Sequence, residues 1–115
     1  MSTNPERHVD VSALQDLKDI MEGEFKTLID TFIADSSSKL NELADAVAAN
    51  DADALRKVAH SLKGSSSNIC AGELSELARQ LEFMGREGST EGAAAILQRV
   101  RGEFTTVASI LKAHV

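Results

Sequence analysis

The run His60-Ser61-Leu62-Lys63-Gly64-Ser65-Ser66 places an imidazole, a primary ammonium and a bare piece of backbone within about one helical turn. Imidazole is a competent nucleophile near neutral pH, because a large share of it is unprotonated there. Lys63, three residues on, stands where it balances negative charge gathered on the ring. Gly64, four residues on, omits the side chain that would crowd the imidazole most. Glycine inside a helix is about 1 kcal/mol worse than alanine, a loss that makes sense when another molecule must come close. Together these residue types suit phosphoryl transfer, which needs positioning and charge compensation more than covalent help. A lone exposed histidine has neither base nor oxyanion hole, so it is poorly equipped for hydrolysis. Taken singly, each feature reads more simply: a surface histidine beside lysine, a glycine that lets two helices approach. The joint run outweighs those simpler readings.

The element that presents the run is a helix over about 52–69. Leu55, Val58, Leu62 and Ile69 fall on one side of it, and His60 falls nearly opposite, beside Arg56, Lys63, Gly64 and Ser67. Similar one-sided stripes run along the rest of the chain. Val11, Leu14 and Leu17, followed by Ile20 or Met21, predict a short helix that Gly23 ends. Phe25, Leu28, Ile29, Phe32, Ile33, Leu40, Leu43 and Val47 continue to about Asn50, with a bend expected at Ser36-Ser37-Ser38. Asn50 or Asp51 is the expected cap of the His60 helix. A fourth stripe over about 72–87 holds Leu74, Leu77, Ala78, Leu81 and Met84. Gly85, Gly88, Ser89 and Thr90 predict a turn with a cap, and a last helix carries Leu97, Val100, Phe104, Val107 and Leu111. One-sided helices joined by short connections pack against one another as antiparallel neighbours. The expected fold is all-α, an up-down four-helix bundle over residues 11–115 with a short extra N-terminal helix and a loose arm at 1–10.

Composition bounds the function. A chain of 115 residues is about one domain, and a net charge of −6 argues against general nucleic-acid binding. From Ala54 to Gly72 no residue is acidic, while Arg56, Lys57 and Lys63 are basic, which suggests a small anionic target. The solitary Cys70 cannot form an internal disulfide, and inert burial is a better reading of it than a redox role. No apolar run nears the roughly 20 residues of a membrane span, and Met1 to Asp10 lacks the apolar stretch of a secretory signal. A soluble cytoplasmic protein is expected. His8 in the arm and His114 near the end make no ligand pair with His60, so no metal is expected. Phe83 projects from its helix's stripe and is expected to pack under the N-terminal helix rather than anchor a partner.

The chain resembles the histidine-containing phosphotransfer family. The likeness rests on Ala59-His60-Ser61-Leu62-Lys63-Gly64-Ser65-Ser66, then Ala71, Leu74, Leu77, Leu81-Glu82 and Arg86, with Asn50-Asp51-Ala52-Asp53-Ala54-Leu55 upstream. It covers about residues 11–112. The resemblance implies that His60 is phosphorylated through Nε2. It also implies that Glu82, on the following helix, holds the Nδ1–H and leaves Nε2 to attack. Arg86 either pairs with Glu82 or faces the phosphoryl group. Cys70 departs from the family, which commonly has glycine there.

These expectations make the chain a phosphorelay carrier between receiver domains of hybrid sensor histidine kinases and of response regulators. Arg56, Lys57 and Ser67 are candidate partner contacts, although the two cations read equally well as solvated surface charges. No Gly-rich nucleotide loop is present, so the chain is expected to be a kinase substrate and shuttle rather than a kinase. It needs no cofactor of its own; Mg²⁺ belongs to the partners. A free-standing monomer with no membrane contact is expected. Two rivals remain at this point: a bundle that binds receivers without being phosphorylated, and an enzyme such as a phosphohistidine hydrolase or a metalloenzyme.

Overall fold

A computed structural model describes residues 8–115. From Val11 onward the described residues form five α-helices: α1 (Val11–Met21), α2 (Phe25–Ala48), α3 (Ala52–Asn68), α4 (Gly72–Arg86) and α5 (Ala93–Ala113), with a 3₁₀ turn at Glu22–Glu24 between the first two. Helices α2 to α5 form a closed antiparallel bundle, in which α3 packs on α2 and α4, and α5 on α4 and α2. The core they share includes Ile29, Leu43, Leu55, Leu62, Leu74, Leu81, Val100, Val107 and Leu111, all essentially inaccessible to solvent. The expected fold class is therefore the observed one.

Local chemistry explains where the helices stop. Three corners share one device: the chain turns through a left-handed residue while the next N–H reaches back over the helix end. The left-handed residues are Asn50 (φ 54°), Cys70 (φ 67°) and Gly88 (φ 77°). The N–H groups that follow, of Asp51, Ala71 and Ser89, donate to the carbonyls of Ala46 (2.8 Å), Ser66 (2.9 Å) and Met84 (3.1 Å). Asparagine and glycine tolerate this conformation; cysteine does so under strain of about 1–2 kcal/mol. That strain gives the physical reason why glycine is the easier residue at position 70. Asp51 then caps α3 by accepting from the Ala54 N–H at 3.0 Å. Burial, with the nearby Asp10 carboxylate, pushes the Cys70 thiol above its ordinary value, away from the reactive thiolate.

Two expectations need correction, the side-chain cap of α5 and the extent of the N-terminal arm; two others are made more definite. Helix α2 runs without a break through the serine run from Phe25 to Ala48, with Ser36 buried in the bundle. Neither Ser89 nor Thr90 caps α5 with its side chain: α5 begins after Gly92, and the Thr90 hydroxyl donates instead to Asn50 Oδ1 at 3.1 Å. Of the two residues expected to close the α1 stripe, Met21 does so, for Ile20 is 79% exposed. The loose arm does not extend to residue 10. Val9 is fully buried, the Asp10 N–H donates to the Cys70 carbonyl at 2.9 Å, and Asp10 caps α1. His8 hydrogen-bonds through Nδ1 to the buried Glu103 carboxylate at 2.7 Å. The rest of the predicted arm, residues 1–7, lies outside the described residues. Helix α1 itself is held against the bundle by buried Leu14 and by the Lys18 ammonium, which donates to the His114 carbonyl at 2.7 Å.

Candidate functional site

His60 stands on the outer face of α3 with 65% of its side chain exposed, as its angular position predicts. The ring leans towards α4, where its Nδ1 lies 2.7 Å from Glu82 Oε2. Glu82 is the reverse of exposed: its side chain is only 5% accessible. A carboxylate so buried must be compensated, and three donors meet it. Lys63 Nζ lies 2.7 Å from Oε1, while Arg86 Nη2 lies 3.1 Å from Oε2, the same oxygen that faces His60. The hydrogen bond from Lys63 holds the Glu82 carboxyl below its ordinary value; desolvation opposes this, and the hydrogen bond to His60 adds to it. Glu82 is thus an ionised acceptor at neutral pH, so Nδ1 carries the ring proton and Nε2 keeps a free lone pair. Two permanent cations against one carboxylate leave the cluster one positive charge in excess before any ligand arrives.

Gly64 lies on the exposed face of α3, one turn from His60. A Cβ built there would meet nothing within 4 Å, so packing within the molecule does not require this glycine. The clearance beside the ring opens to the outside of the molecule.

Gly85 is the opposite case, and its role escaped sequence reasoning, which placed it in a turn. It is a buried residue of α4. A Cβ there would stand 2.6 Å from the Ala52 carbonyl oxygen, 2.6 Å from the Arg56 N–H nitrogen and 2.8 Å from Arg56 Cβ. The missing side chain lets α4 lie directly on the first turn of α3, one turn from Glu82 along one helix and one from His60 along the other. Farther along the same contact, the Ser75 hydroxyl donates to the Lys63 carbonyl at 3.0 Å. A signal for this seam exists in the sequence: Ala52, Ala59 and Ser66 on α3, and Ala71, Ala78 and Gly85 around α4, recur every seventh residue. Small residues at that spacing bring two helices close.

The other predicted residues are not gathered at the ring. Arg56 Nη2 and Lys57 Nζ both turn back to Asp53, at 3.0 and 3.1 Å, and hold its carboxyl below the ordinary value. The positive island of α3 is therefore partly neutralised by the acid just before it. Ser67 is exposed two turns beyond His60, beside a hollow lined by Asp10, Ala13, Cys70 and Gly72. His8 and His114 are remote from His60 in their contacts, with Glu103 and the Lys18 ammonium respectively. Phe83 does not pack under α1; it is 54% exposed on α4.

A closed antiparallel bundle displaying one histidine, its ring fixed from below by a buried carboxylate, defines the class of histidine phosphotransfer domains. The sequence pattern of the Hpt domain family matches residues 27–110, and the chain belongs to that family. It is also similar to the histidine-containing phosphotransfer protein B (HptB) of Pseudomonas aeruginosa PAO1. The crystal structure of that protein superposes with a TM-score of 0.89 at 39% sequence identity, covering 93% of this chain and 93% of that one. No curated protein sequence matches the chain. Among the described residues no helix is long and apolar enough to cross a membrane, and no group of three or more His, Cys, Asp and Glu side chains is placed to hold a metal ion.

Proposed function

We propose that the chain is a phosphorelay carrier that accepts a phosphoryl group on His60 Nε2 and delivers it to an aspartate of a second protein. The observation that carries this reading is the pairing of an exposed imidazole with a buried, ionised Glu82, which leaves Nε2 both nucleophilic and reachable. In the forward step the Nε2 lone pair attacks phosphorus of a phosphoaspartate. The N–P bond forms as the P–O bond to the aspartyl carboxylate breaks, and that carboxylate departs with the electron pair. The ring keeps its Nδ1 proton and becomes cationic, a charge that Glu82 stabilises. Lys63 and Arg86, both within reach of the same carboxylate, offset the charge on the phosphoryl oxygens. The reverse attack by an acceptor aspartate restores the neutral ring.

In this reading the partners are receiver domains of hybrid sensor histidine kinases and of response regulators. They supply the aspartates and the Mg²⁺ that the reaction uses. The chain itself has no ATP-dependent kinase activity, requires no cofactor, and acts as a cytoplasmic monomer without nucleic-acid or membrane contact. Family membership and the likeness to HptB support the carrier role over the binding-only and enzymatic alternatives. The test is incubation with a phosphorylated receiver domain. Label that is acid-labile and alkali-stable should appear on the wild type and be absent from His60→Gln. Full transfer by His60→Gln refutes the assignment.

A further inference from the structure

Of the chain's four phenylalanines, Phe25 and Phe32 are buried, Phe104 is half-buried, and Phe83 alone is exposed. Phe83 immediately follows Glu82 and flanks a shallow hollow of about 250 Å³ between α4 and α5, shared with Arg79, Gln80, Met84 and Ile96. On α4, Arg79 lies four residues before it and Arg86 three residues after, so two cations bracket the ring on one helix face. Arg79 is tied at 2.6 Å to Glu76, and both side chains are about half exposed. The fold makes no evident use of this aromatic group. Aromatic side chains and arginine are enriched at protein interfaces relative to the rest of the surface.

We infer that Phe83, with Arg79 and Arg86, forms the α4 arm of the surface on which a receiver domain docks to reach His60. The inference rests on the carrier reading and specifies its partner surface. Two arguments choose this occupant. The first is continuity. A partner of ordinary size covers about 800 Å² of each surface, a disc reaching about 16 Å from its centre. Glu82 touches His60 at 2.7 Å, and Phe83 is the next residue along the chain, so Phe83 lies within that reach of His60. The second is charge. A receiver brings an acidic phosphorylation pocket, and the rim of that pocket meets arginines here. A second copy of this chain fits less well: each copy carries a net charge of −6, and one phenylalanine over a shallow hollow is too little apolar surface for a stable dimer.

The experiment compares two phosphoryl donors on wild type, Phe83→Ala and Phe83→Gln. Phosphoramidate reaches His60 without any docking surface. The second donor is the phosphorylated receiver domain that exchanges fastest with the wild type. Loss of the anchor should raise the KM for the receiver about tenfold or more, with phosphoramidate labelling within twofold of wild type. An unchanged receiver KM in both variants overturns the inference. So does a parallel fall with both donors, which would place Phe83 in support of Glu82 rather than in docking. A wild-type dimer that Phe83→Ala disperses, seen by sedimentation, overturns it too. A wild type that neither donor labels at His60 is a different failure, that of the carrier reading itself.

Discussion

Replacing Gly64 by alanine should raise stability and lower phosphotransfer at the same time. The stability half follows from the empty surroundings of the site: a Cβ meets nothing within 4 Å, and the residue is interior to α3. The only effect within the molecule is the helix preference of alanine over glycine, about 0.8–1.0 kcal/mol. For a domain of this size that corresponds to a rise in Tm of about 4 °C. The transfer half follows from the same emptiness. A methyl group stands about 1.5 Å proud of the backbone on the face from which, in the proposed carrier reaction, phosphorus approaches. A displacement of about 1 Å from the attack geometry costs up to about 100-fold in rate. Gly64→Gln, whose side chain reaches farther, should be slower still. Urea or thermal unfolding reads the first half, and the single-turnover rate from a phosphorylated receiver reads the second. Phosphoramidate labelling serves as the control for an intact ring. A fall in Tm for Gly64→Ala would mean that the fold needs this glycine. A Gly64→Gln variant that still accepts from the receiver at the wild-type rate would mean that nothing passes over it.

Glu82→Gln should lower stability by about 1–3 kcal/mol at neutral pH, because Lys63, Arg86 and His60 lose their shared charged acceptor. Glu82 titrates below its ordinary 4.5 in the folded protein, so its contribution is complete above that value and is lost as the pH falls through the lowered one. The gap between wild type and Glu82→Gln in urea melts should therefore close as the pH is taken from about 5 towards 2; a gap that persists unchanged would show that ionised pairing is not its source. Gly85→Ala should destabilise by about 2–3 kcal/mol, since the new methyl meets backbone atoms that cannot rotate away. It should also slow phosphoramidate labelling of His60 by shifting Glu82, although it touches no reacting atom. A Gly85→Ala protein that is as stable as wild type and labels as fast would remove Gly85 from its positioning role.

What the sequence determined by itself is whatever depends on residues near in the chain. Apolar stripes at helical spacing placed the helices to within a few residues, and the angular position of His60 against Leu55 and Leu62 already put the ring outside the core. Gly64 was legible for the same reason: its relation to His60 is one turn of one helix. Contacts across elements were not legible in this way. The depth at which Glu82 is buried, and the convergence of Lys63, Arg86 and His60 on its two oxygens, depend on how closely α4 lies on α3. That distance is set by Gly85 against Ala52 and Arg56, residues about thirty apart in sequence; the seven-residue recurrence of small side chains marks each helix's seam, but which seam meets which is decided only by packing. The docking of His8 and Val9, and the exposure of Phe83, were likewise decided by tertiary packing. Periodicity assigns a residue to one side of its own helix. Which neighbour covers that side, and whether any does, is fixed only when the helices pack.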